Sequence, residues 1–458
     1  MGRRPIRCGW CGLRRKKGKG KVCELEAEIG RVQIANGSGM MPKHQPKERL
    51  YSLRFRETAL LVGTELSFHD AVAMLNRFLH REDEKVIKNR TYQDFCQRSG
   101  QELTAYLAAK TQEILECAGF ETGTNKPQAG DALAPEVKQG GTNFPETEAI
   151  RQAIGTFNAS RTDNDEQIQQ DTFALECPTE TCYISIDDVG VKHQKEHRKE
   201  NTPKQGVYVW NTVAVIQSQM HSYTLTGGNM PQVFRSVLAY LLSHQILENT
   251  NLVFFTDGAS DIRCNIEQTF DFHPYTIILD WYHLKKRCQE YLSMSIKGGK
   301  EKRNAILQKL LRILWAGNIT QAVQYLKSLP QKHLRLVNRI PDLCTYFEKH
   351  RAHIPCYALR HLLGLRNSSN RVEKANDLVI AQRQKHNGMS WSTTGSIALA
   401  QIKALFLNHE MSRWLHSRTL PLFLPAASMD YSNRSGRNIL KILFIMKEYC
   451  LFMGNMVK

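Results

Sequence analysis

The spacing of apolar residues changes near residue 177. From there to residue 280 the pattern predicts, in order, strand, strand, strand, helix, strand, helix and strand. The strands are predicted at "TCYISID" (181–187), "GVYVWNTVAVIQS" (206–218), "HSYTLTG" (221–227), "NLVFFTD" (251–257) and "YTIILD" (275–280). The helices are predicted at "PQVFRSVLAYLLSHQIL" (231–247) and "DIRCNIEQTF" (261–270). This alternation is typical of an α/β fold.

The segment 48–118 has the spacing of helices instead. Apolar residues recur at helical intervals in "SFHDAVAMLNRFL", and Tyr92, Phe95 and Cys96 share one face in "NRTYQDFCQRSGQEL". Two short amphipathic helices with a tight connection favour a helix-turn-helix, although a small helical bundle that supports dimerisation has the same pattern. If the second helix enters the major groove of DNA, the long polar side chains near its start would contact the bases. These are Arg90, Gln93 and Gln97.

Composition divides the rest of the chain. Residues 123–176 are rich in Gly, Pro, Thr, Asn and Gln and predict a linker, and helical segments fill residues 284–366. The predicted organisation is a basic arm, a helical DNA-binding domain, a linker, an α/β domain in two parts, an all-helical insertion and a C-terminal tail. Their ranges are 1–45, 46–122, 123–176, 177–284 with 367–415, 285–366, and 416–458.

Three of the predicted strands stop on an aspartate, namely Asp187, Asp257 and Asp280. A single acid in this position is ordinarily a turn residue or a helix cap. Three such acids in one short region favour a shared site, because α/β sheets carry their chemistry at strand ends. Asp188 follows Asp187 directly, and successive strand residues point to opposite faces, so only one of the two is expected at that site.

Four segments resemble one family of enzymes. "ISIDDVGV", "TDG", "LDWYH" and the segment 365–408, which contains "NRVEKAND" and "GMSWS", are similar in order and spacing to the catalytic domain of Mutator-like bacterial insertion-sequence transposases of the ISKra-type group. The resemblance covers roughly residues 180–405. It implies an α/β, ribonuclease-H-like catalytic domain with an all-helical insertion, preceded by a helical (helix-turn-helix-like) DNA-binding domain.

The same resemblance implies which residues carry the chemistry. The catalytic acids and metal ligands would be Asp187, Asp257 and Glu373, with Asp188, Asp280 and His283 in supporting roles. Asp188 departs from the family, which has glycine there. Two divalent ions, Mg²⁺ or alternatively Mn²⁺, would be bound by the three acids. Two simpler interpretations stay open: Asn370-x-x-Glu373 fits a capping box, and Asp280 with His283 fits a helix start.

The implied activity is that of a transposase. Such a protein would bind the terminal inverted repeats of a mobile element and its target DNA, and would act as a homodimer in the bacterial cytoplasm, associated with the nucleoid. It would catalyse metal-dependent strand cleavage and strand transfer. The alternatives are a ribonuclease-H-like nuclease that only hydrolyses DNA, and a transposase-derived DNA-binding regulator. The presence of all three acids favours an enzyme over the regulator.

The charge of the chain agrees with a nucleic-acid partner. Its 458 residues carry a formal net charge of +18, and the first 21 residues contain nine Lys or Arg and no acid. Candidate phosphate contacts there are Arg14, Arg15, Lys16 and Lys17, with a solvated basic arm as the alternative. The sequence predicts neither a secretory signal nor a membrane-spanning segment.

The 12 cysteines are scattered without the spacing of a disulfide framework, which suits a reducing cytoplasm. Cys8, Cys11 and Cys23 resemble part of a zinc knuckle, and His44 is the nearest histidine that could complete it. A structural zinc site needs four ligands, and this set is incomplete. Free thiols are therefore the favoured interpretation over zinc.

Overall fold

A computed structural model describes most of the chain. The described residues are 22–27, 30–35, 50–78, 88–123, 125–128, 133, 135–194, 208–218, 221–335, 338–386 and 389–420. Several predicted features lie outside these ranges, namely the basic residues Arg14, Arg15, Lys16 and Lys17, the zinc candidates Cys8, Cys11 and His44, and most of the C-terminal tail.

Eight strands in the described ranges form two sheets. A small sheet has the order β2-β1-β3, with β1 at Val22–Ala27, β2 at Gly30–Ala35 and β3 at Leu50–Tyr51. The central sheet has the order β6-β5-β4-β7-β8. Its strands are β4 (Thr181–Lys192), β5 (Tyr208–Ser218), β6 (His221–Gly227), β7 (Asn251–Thr256) and β8 (Tyr275–Leu279). β5 is antiparallel to β4 and β6, whereas β7 is parallel to β4 and β8.

Helices precede, alternate with and follow the strands of the central sheet. The first four are α1 (Leu53–Glu65), α2 (Phe68–Phe78), α3 (Asn89–Cys117) and α4 (Thr147–Ala159). Between the strands lie α5 (Met230–Ser243) and α6 (Ser260–Phe270). After β8 come α7 (Trp281–Ser295), α8 (Lys300–Trp315), α9 (Ile319–Lys327), α10 (Ile340–Lys349) and α11 (Tyr357–Leu362). The last are α12 (Asn370–Asn376), continued by a π turn (Asp377–Ala381) and α13 (Gln382–Gln384), then α14 (Thr393–Leu407) and α15 (Met411–Ser417). Within the described ranges no helix is long and apolar enough to cross a membrane.

The predicted order of elements from residue 181 to residue 280 is confirmed, but two boundaries are wrong: α5 ends at Ser243 and not at residue 247, and β4 is longer than predicted. β4 does not end at Asp187 but continues to Lys192, because residues 188–192 pair with residues 208–212 of β5. On its other side β4 pairs with β7 only as far as Ser185. Asp187 therefore lies within a strand, just beyond the point where the parallel pairing stops.

The two faces of β4 are covered by different helices. Ile184 and Ile186 belong to a core that also contains apolar residues of α1, α3 and α5. Val189 and Val191 belong to a second core that contains Val372 of α12. Burial on both faces explains why much of this strand is apolar without a polar face.

Helices α1 to α3 do not form the separate helix-turn-helix-like domain that the sequence predicted. Their buried residues, among them Leu60, Val72 and Tyr92, belong to the same core as the central sheet. The second helix of the predicted motif is part of α3, which is 29 residues long. It crosses α14 so closely that a Cβ added to Gly100 would lie 2.3 Å from the carbonyl oxygen of Ala398. Helical periodicity shows which face is apolar, but it does not show what covers that face.

The segment predicted as a linker supports the helices that follow β8. Ile150 and Phe157 of α4 pack with Leu359 of α11. Nearby, the fully buried guanidinium of Arg360 donates hydrogen bonds of 2.7 and 2.6 Å to the two carboxylate oxygens of Glu176. The regular elements described between residues 285 and 366 are all helical, as predicted.

Candidate functional site

The adjacent aspartates of β4 point to opposite faces of the sheet. Asp187 faces α12, where its Oδ2 accepts a hydrogen bond of 2.6 Å from Nδ2 of Asn376. Asp188 faces the other way, and its Oδ1 accepts a hydrogen bond from the hydroxyl of Thr212, its cross-strand partner. The alternation of a strand thus puts Asp187, and not Asp188, on the side of the helix that carries Glu373.

Asp257 directly follows β7 and stands level with Asp187. The register pairs Ser185 with Phe255, so each aspartate lies two residues beyond that pair on adjacent parallel strands. Gly258, with φ of +91°, lets the chain turn away from the sheet. The backbone N–H of Ala259 then donates a hydrogen bond of 2.8 Å to Asp257 Oδ1, which holds the carboxylate at this turn.

Glu373 reaches the same region from the first turn of α12. Its Oε1 lies 3.1 Å from Nε2 of His283 on α7. The capping-box interpretation is wrong, because Ser369 occupies the cap position and no side chain caps the helix. The carboxylate of Glu373 is therefore directed towards His283 and not to the N-terminus of its own helix.

Asn376 is a residue of this region that the sequence analysis missed. It lies three positions after Glu373 and thus on the same face of α12. Its Nδ2 donates to Asp187, while its Oδ1 is buried without a hydrogen-bond partner among the described residues. The i, i+3 spacing was a signal, but a single Asn in a helix is too common to be assigned a role from it.

Asp280 has a structural role behind the site. Its Oδ1 caps α7 by accepting hydrogen bonds of 2.7 and 3.2 Å from the N–H groups of Tyr282 and His283. Its Oδ2 accepts bonds from the backbone N–H and, at 2.7 Å, from the hydroxyl of Ser369. Asp280 is 1% exposed, so both oxygens are fully engaged in joining the start of α7 to the start of α12. It positions His283 and Glu373 relative to each other.

The pKa values of the aspartates in β4 are raised, because the site contains more acidic than basic side chains. Burial raises the pKa of Asp187 to about 6, although the hydrogen bond from the backbone of Asp188 opposes this change. The negative charges of Asp257 and Asp188 raise that pKa further, and His283 lowers it. Burial also raises the pKa of Asp188, against the hydrogen bond from Thr212. The region therefore disfavours additional negative charge.

The donor atoms suit a hard divalent cation. Carboxylate and amide oxygens are the ligands that Mg²⁺ and Mn²⁺ take, and the unpartnered Oδ1 of Asn376 adds a further oxygen beside Asp187. In the side-chain arrangement described, however, no group of three or more His, Cys, Asp or Glu residues is close enough together to hold a metal ion. The chemistry of the donors fits a metal, and their convergence on one would require Glu373 to leave His283.

The predicted base-reading residues differ in their surroundings. Arg90 is exposed and lies 3.2 Å from Asp94 on the same helix. Gln93 is half-buried. Gln97 lies against the start of α14, where a Cβ added to Gly395 would be 2.7 Å from its Nε2. Of the three, Arg90 is the one most open to a partner.

These features define an α/β protein with a mixed five-stranded sheet. No protein-family model and no curated protein matches the chain. Among solved structures, the Drosophila P element transposase strand transfer complex matches with 8% identity, over 85% of each chain, at a TM-score of 0.25. This TM-score is too low to assign a function, so the resemblance to Mutator-like transposases stays a prediction.

Proposed function

We propose that this protein is a DDE-type DNA transposase that binds the ends of a mobile element and catalyses strand cleavage and strand transfer. One observation carries the proposal: Asp187 and Asp257 stand level on adjacent parallel strands, and α12 brings Glu373 to the same face of the sheet. Two acids on neighbouring strands and a third on a later helix are the arrangement that the family resemblance implies.

Asp187, Asp257 and Glu373 would hold the divalent metal ions. When bound, such ions neutralise charge on a phosphodiester and activate a water or hydroxyl for in-line attack. The protein's own contribution is to position the acids. Asn376 orients Asp187, the turn at Gly258 fixes Asp257, and His283 holds Glu373 in the absence of a competing cation.

The net charge of +18 supports DNA as the partner. The basic arm at residues 1–45 would contact phosphates without regard to sequence, and Arg90 would lie near the DNA. Because β1 and β2 lie at residues 22–35 of the predicted arm, removal of residues 1–21, with their nine Lys or Arg, is the cleaner test; it is expected to weaken binding to all sequences alike and to flatten the dependence of affinity on salt.

The deciding experiment uses DNA that carries both ends of the sequence flanking this protein's own gene. The purified full chain is incubated with that DNA and Mg²⁺ or Mn²⁺, and the cut and joined strands are mapped at nucleotide resolution. Joining of a freed 3′-end to new DNA supports a transposase. Cleavage without joining supports the nuclease alternative, and binding without either reaction supports the regulator.

A further inference from the structure

A recess with basic side chains lies on the other side of the turn that holds Asp257. The backbone of Gly258, Ala259 and Ser260 forms one wall, and the opposite wall comes from the end of α10 and the turn after it. Two cationic side chains, Arg263 and Lys349, and two imidazoles, His350 and His353, line the recess. It has a volume of about 10 Å³ for the centre of a water-sized group, which is room for one oxygen atom of a ligand.

His350 is the most buried of these groups. It is 4% exposed, its ring centroid lies 4.5 Å from that of Tyr346, and its Cε1 would be 3.2 Å from a Cβ added to Gly258. Its ring nitrogens form no hydrogen bond with any residue of the described ranges.

Arg263 also has an unsatisfied polar atom. Its Nε is buried and has no hydrogen-bond partner among the described residues, and it lies 3.5 Å from Glu267 Oε1, one turn away on α6. Arg263 also lines the recess. Lys349 is exposed at the rim.

The local charge balance of the recess is positive. Burial lowers the pKa of His350 to about 4, and the positive charges of His353, Lys349 and Arg263 lower it further, while Asp257 opposes them. Burial and Arg263 also lower the pKa of His353, with Glu267 acting in the opposite direction. Both histidines are therefore neutral near pH 7, and the positive charge of the recess comes from Arg263 and Lys349, which favour an anion.

The start of α6 adds backbone donors to the same wall. The helix has 11 residues, its cap residue is Ala259, and no side chain caps it. Free N–H groups and the positive end of the helix dipole attract a phosphate oxygen. Asp261 in the first turn does not line the recess, and its charge acts instead on Asp188.

We propose that this recess binds a backbone phosphate of the DNA. The bound phosphate would be the neighbour, on the same strand, of the phosphate that reacts at Asp257. This subsite rests on the proposed function, and it would fix the register of the strand by holding one phosphate oxygen between the start of α6 and the basic groups of α10. The ligand chemistry is a phosphate ester or free phosphate, and the experiments distinguish the two.

The first test measures DNA affinity by fluorescence anisotropy over a range of salt concentrations. The double variant Arg263→Gln/Lys349→Gln is compared with the wild-type full chain on the same duplex. Each lost phosphate contact lowers the slope of log affinity against log salt by about 0.9, so the double variant, which loses one phosphate site, should lose about 0.9. At 0.1 M salt its affinity should fall by about tenfold or more.

The matched control is Arg151→Gln/Lys327→Gln. Arg151 is also paired with a glutamate on its own helix, at 3.0 Å from Glu148 Oε2, and neither control residue lines the recess. The control should keep the wild-type slope. Equal slopes for wild type, control and the Arg263/Lys349 variant would overturn the subsite and leave the proposed transposase intact. A lowered slope in a protein that neither cuts nor joins DNA would keep the subsite and reject the proposed function.

The second test does not depend on DNA. The melting temperature of each protein is measured in inorganic phosphate and in chloride at equal ionic strength, since a ligand of the folded state raises it. A rise in phosphate that the Arg263/Lys349 variant loses and the control keeps would support a site for phosphate itself. If the variant and the wild type rise equally and the salt slopes are also equal, the proposal fails. If only the salt slope changes, the recess accepts a phosphate within a strand and not free phosphate.

Discussion

The turn at residues 257–259 separates two regions of opposite charge. On one side lie the carboxylates of Asp187, Asp257 and Glu373, and on the other lies the basic recess beside α6. Burial acts against the charged form in both regions, raising the pKa of Asp187 to about 6 and lowering that of His350 to about 4. In each region the neighbours of like sign increase the shift.

The buried ion pair of Arg360 and Glu176 differs from both regions. Arg360 and Glu176 are both buried, and each satisfies the other through two hydrogen bonds. The pairs beside the turn, Glu373 with His283 and Arg263 with Glu267, are more exposed and lack this two-bonded geometry, and each side keeps an excess of one sign of charge. Shifted groups without a structural partner are characteristic of binding sites. A cation would complete the acidic side and a phosphate the basic side.

The largest effect is expected from removing the acidic side. Asp187→Asn, Asp257→Asn and Glu373→Gln should each reduce Mg²⁺-dependent cleavage by about 10²–10³-fold or more, because each would remove one of the three proposed metal ligands. DNA affinity should change little, since the phosphate contacts lie elsewhere. The measurement is the single-turnover cleavage rate beside anisotropy on the same DNA.

Asp188→Asn is the matched control for Asp187→Asn. Asp188 points to the opposite face and is held by Thr212, so its variant should keep most of the cleavage activity. A larger loss in the Asp188 variant than in the Asp187 variant would assign the ligand role to Asp188. That result would refute the proposed site, because Asp188 lies on the face of β4 opposite α12.

A smaller effect is expected from the residues that position the acids. His283→Gln and Asn376→Ala should each reduce cleavage by about 10–100-fold, the range typical of groups that orient metal ligands. The reduction should be accompanied by weaker apparent affinity for Mn²⁺ in a metal titration of binding. Unchanged metal affinity together with a lowered melting temperature would show that these side chains only stabilise the fold.

Gly258→Ala tests how much the turn between the acidic site and the basic recess depends on glycine. The φ of +91° disfavours a Cβ, which would also lie 3.1 Å from Leu279 Cδ1 and from Tyr346 Oη. We expect a loss of about 1–3 kcal/mol in the free energy of unfolding, measured by denaturant. Gly364→Ala is the control, because its φ of +73° is similar and nothing lies within 4 Å of an added Cβ. Equal losses in both variants would mean that the contacts at Gly258 contribute nothing beyond backbone strain.

The smallest effect is a dependence of stability on pH. The folded-state pKa of Asp187, about 6, is higher than that of an unfolded aspartate, so the folded chain binds more protons between pH 4 and pH 6. The stabilisation from protonated Asp187 is therefore complete below about pH 4 and is lost as the pH rises through about 6. With chelator present, the free energy of unfolding of Asp187→Asn should exceed that of the wild type by about 1–3 kcal/mol at pH 8, and by less at pH 5. Denaturant unfolding at the two pH values measures the difference. A difference that is the same at both pH values would contradict the raised pKa.

Local patterns were sufficient for the elements of the central sheet. The strands β5, β6 and β7 and the helix α6 were predicted within two residues, because alternation and turn residues depend on the chain itself. The end of β4 was wrong because the pairing of Asp188 with Thr212 depends on a strand more than 20 residues away. In the same way, α3 was predicted too short and as part of a separate domain, because the surface that its apolar face covers comes from α14 and the sheet.

The sequence by itself predicted which residues would carry chemistry: the acids at Asp187, Asp257 and Glu373 and the supporting pair at Asp280 and His283. It also determined the excess of positive charge. Residue type and spacing are properties of the chain, so they can be identified before folding. Only the tertiary structure decided that Asp187 and not Asp188 faces α12, that Asn376 joins the acids, and that Asp280 holds two helix starts together. It alone placed His350 beside Gly258, because residues more than 90 positions apart meet only when the helices after β8 pack back on the sheet.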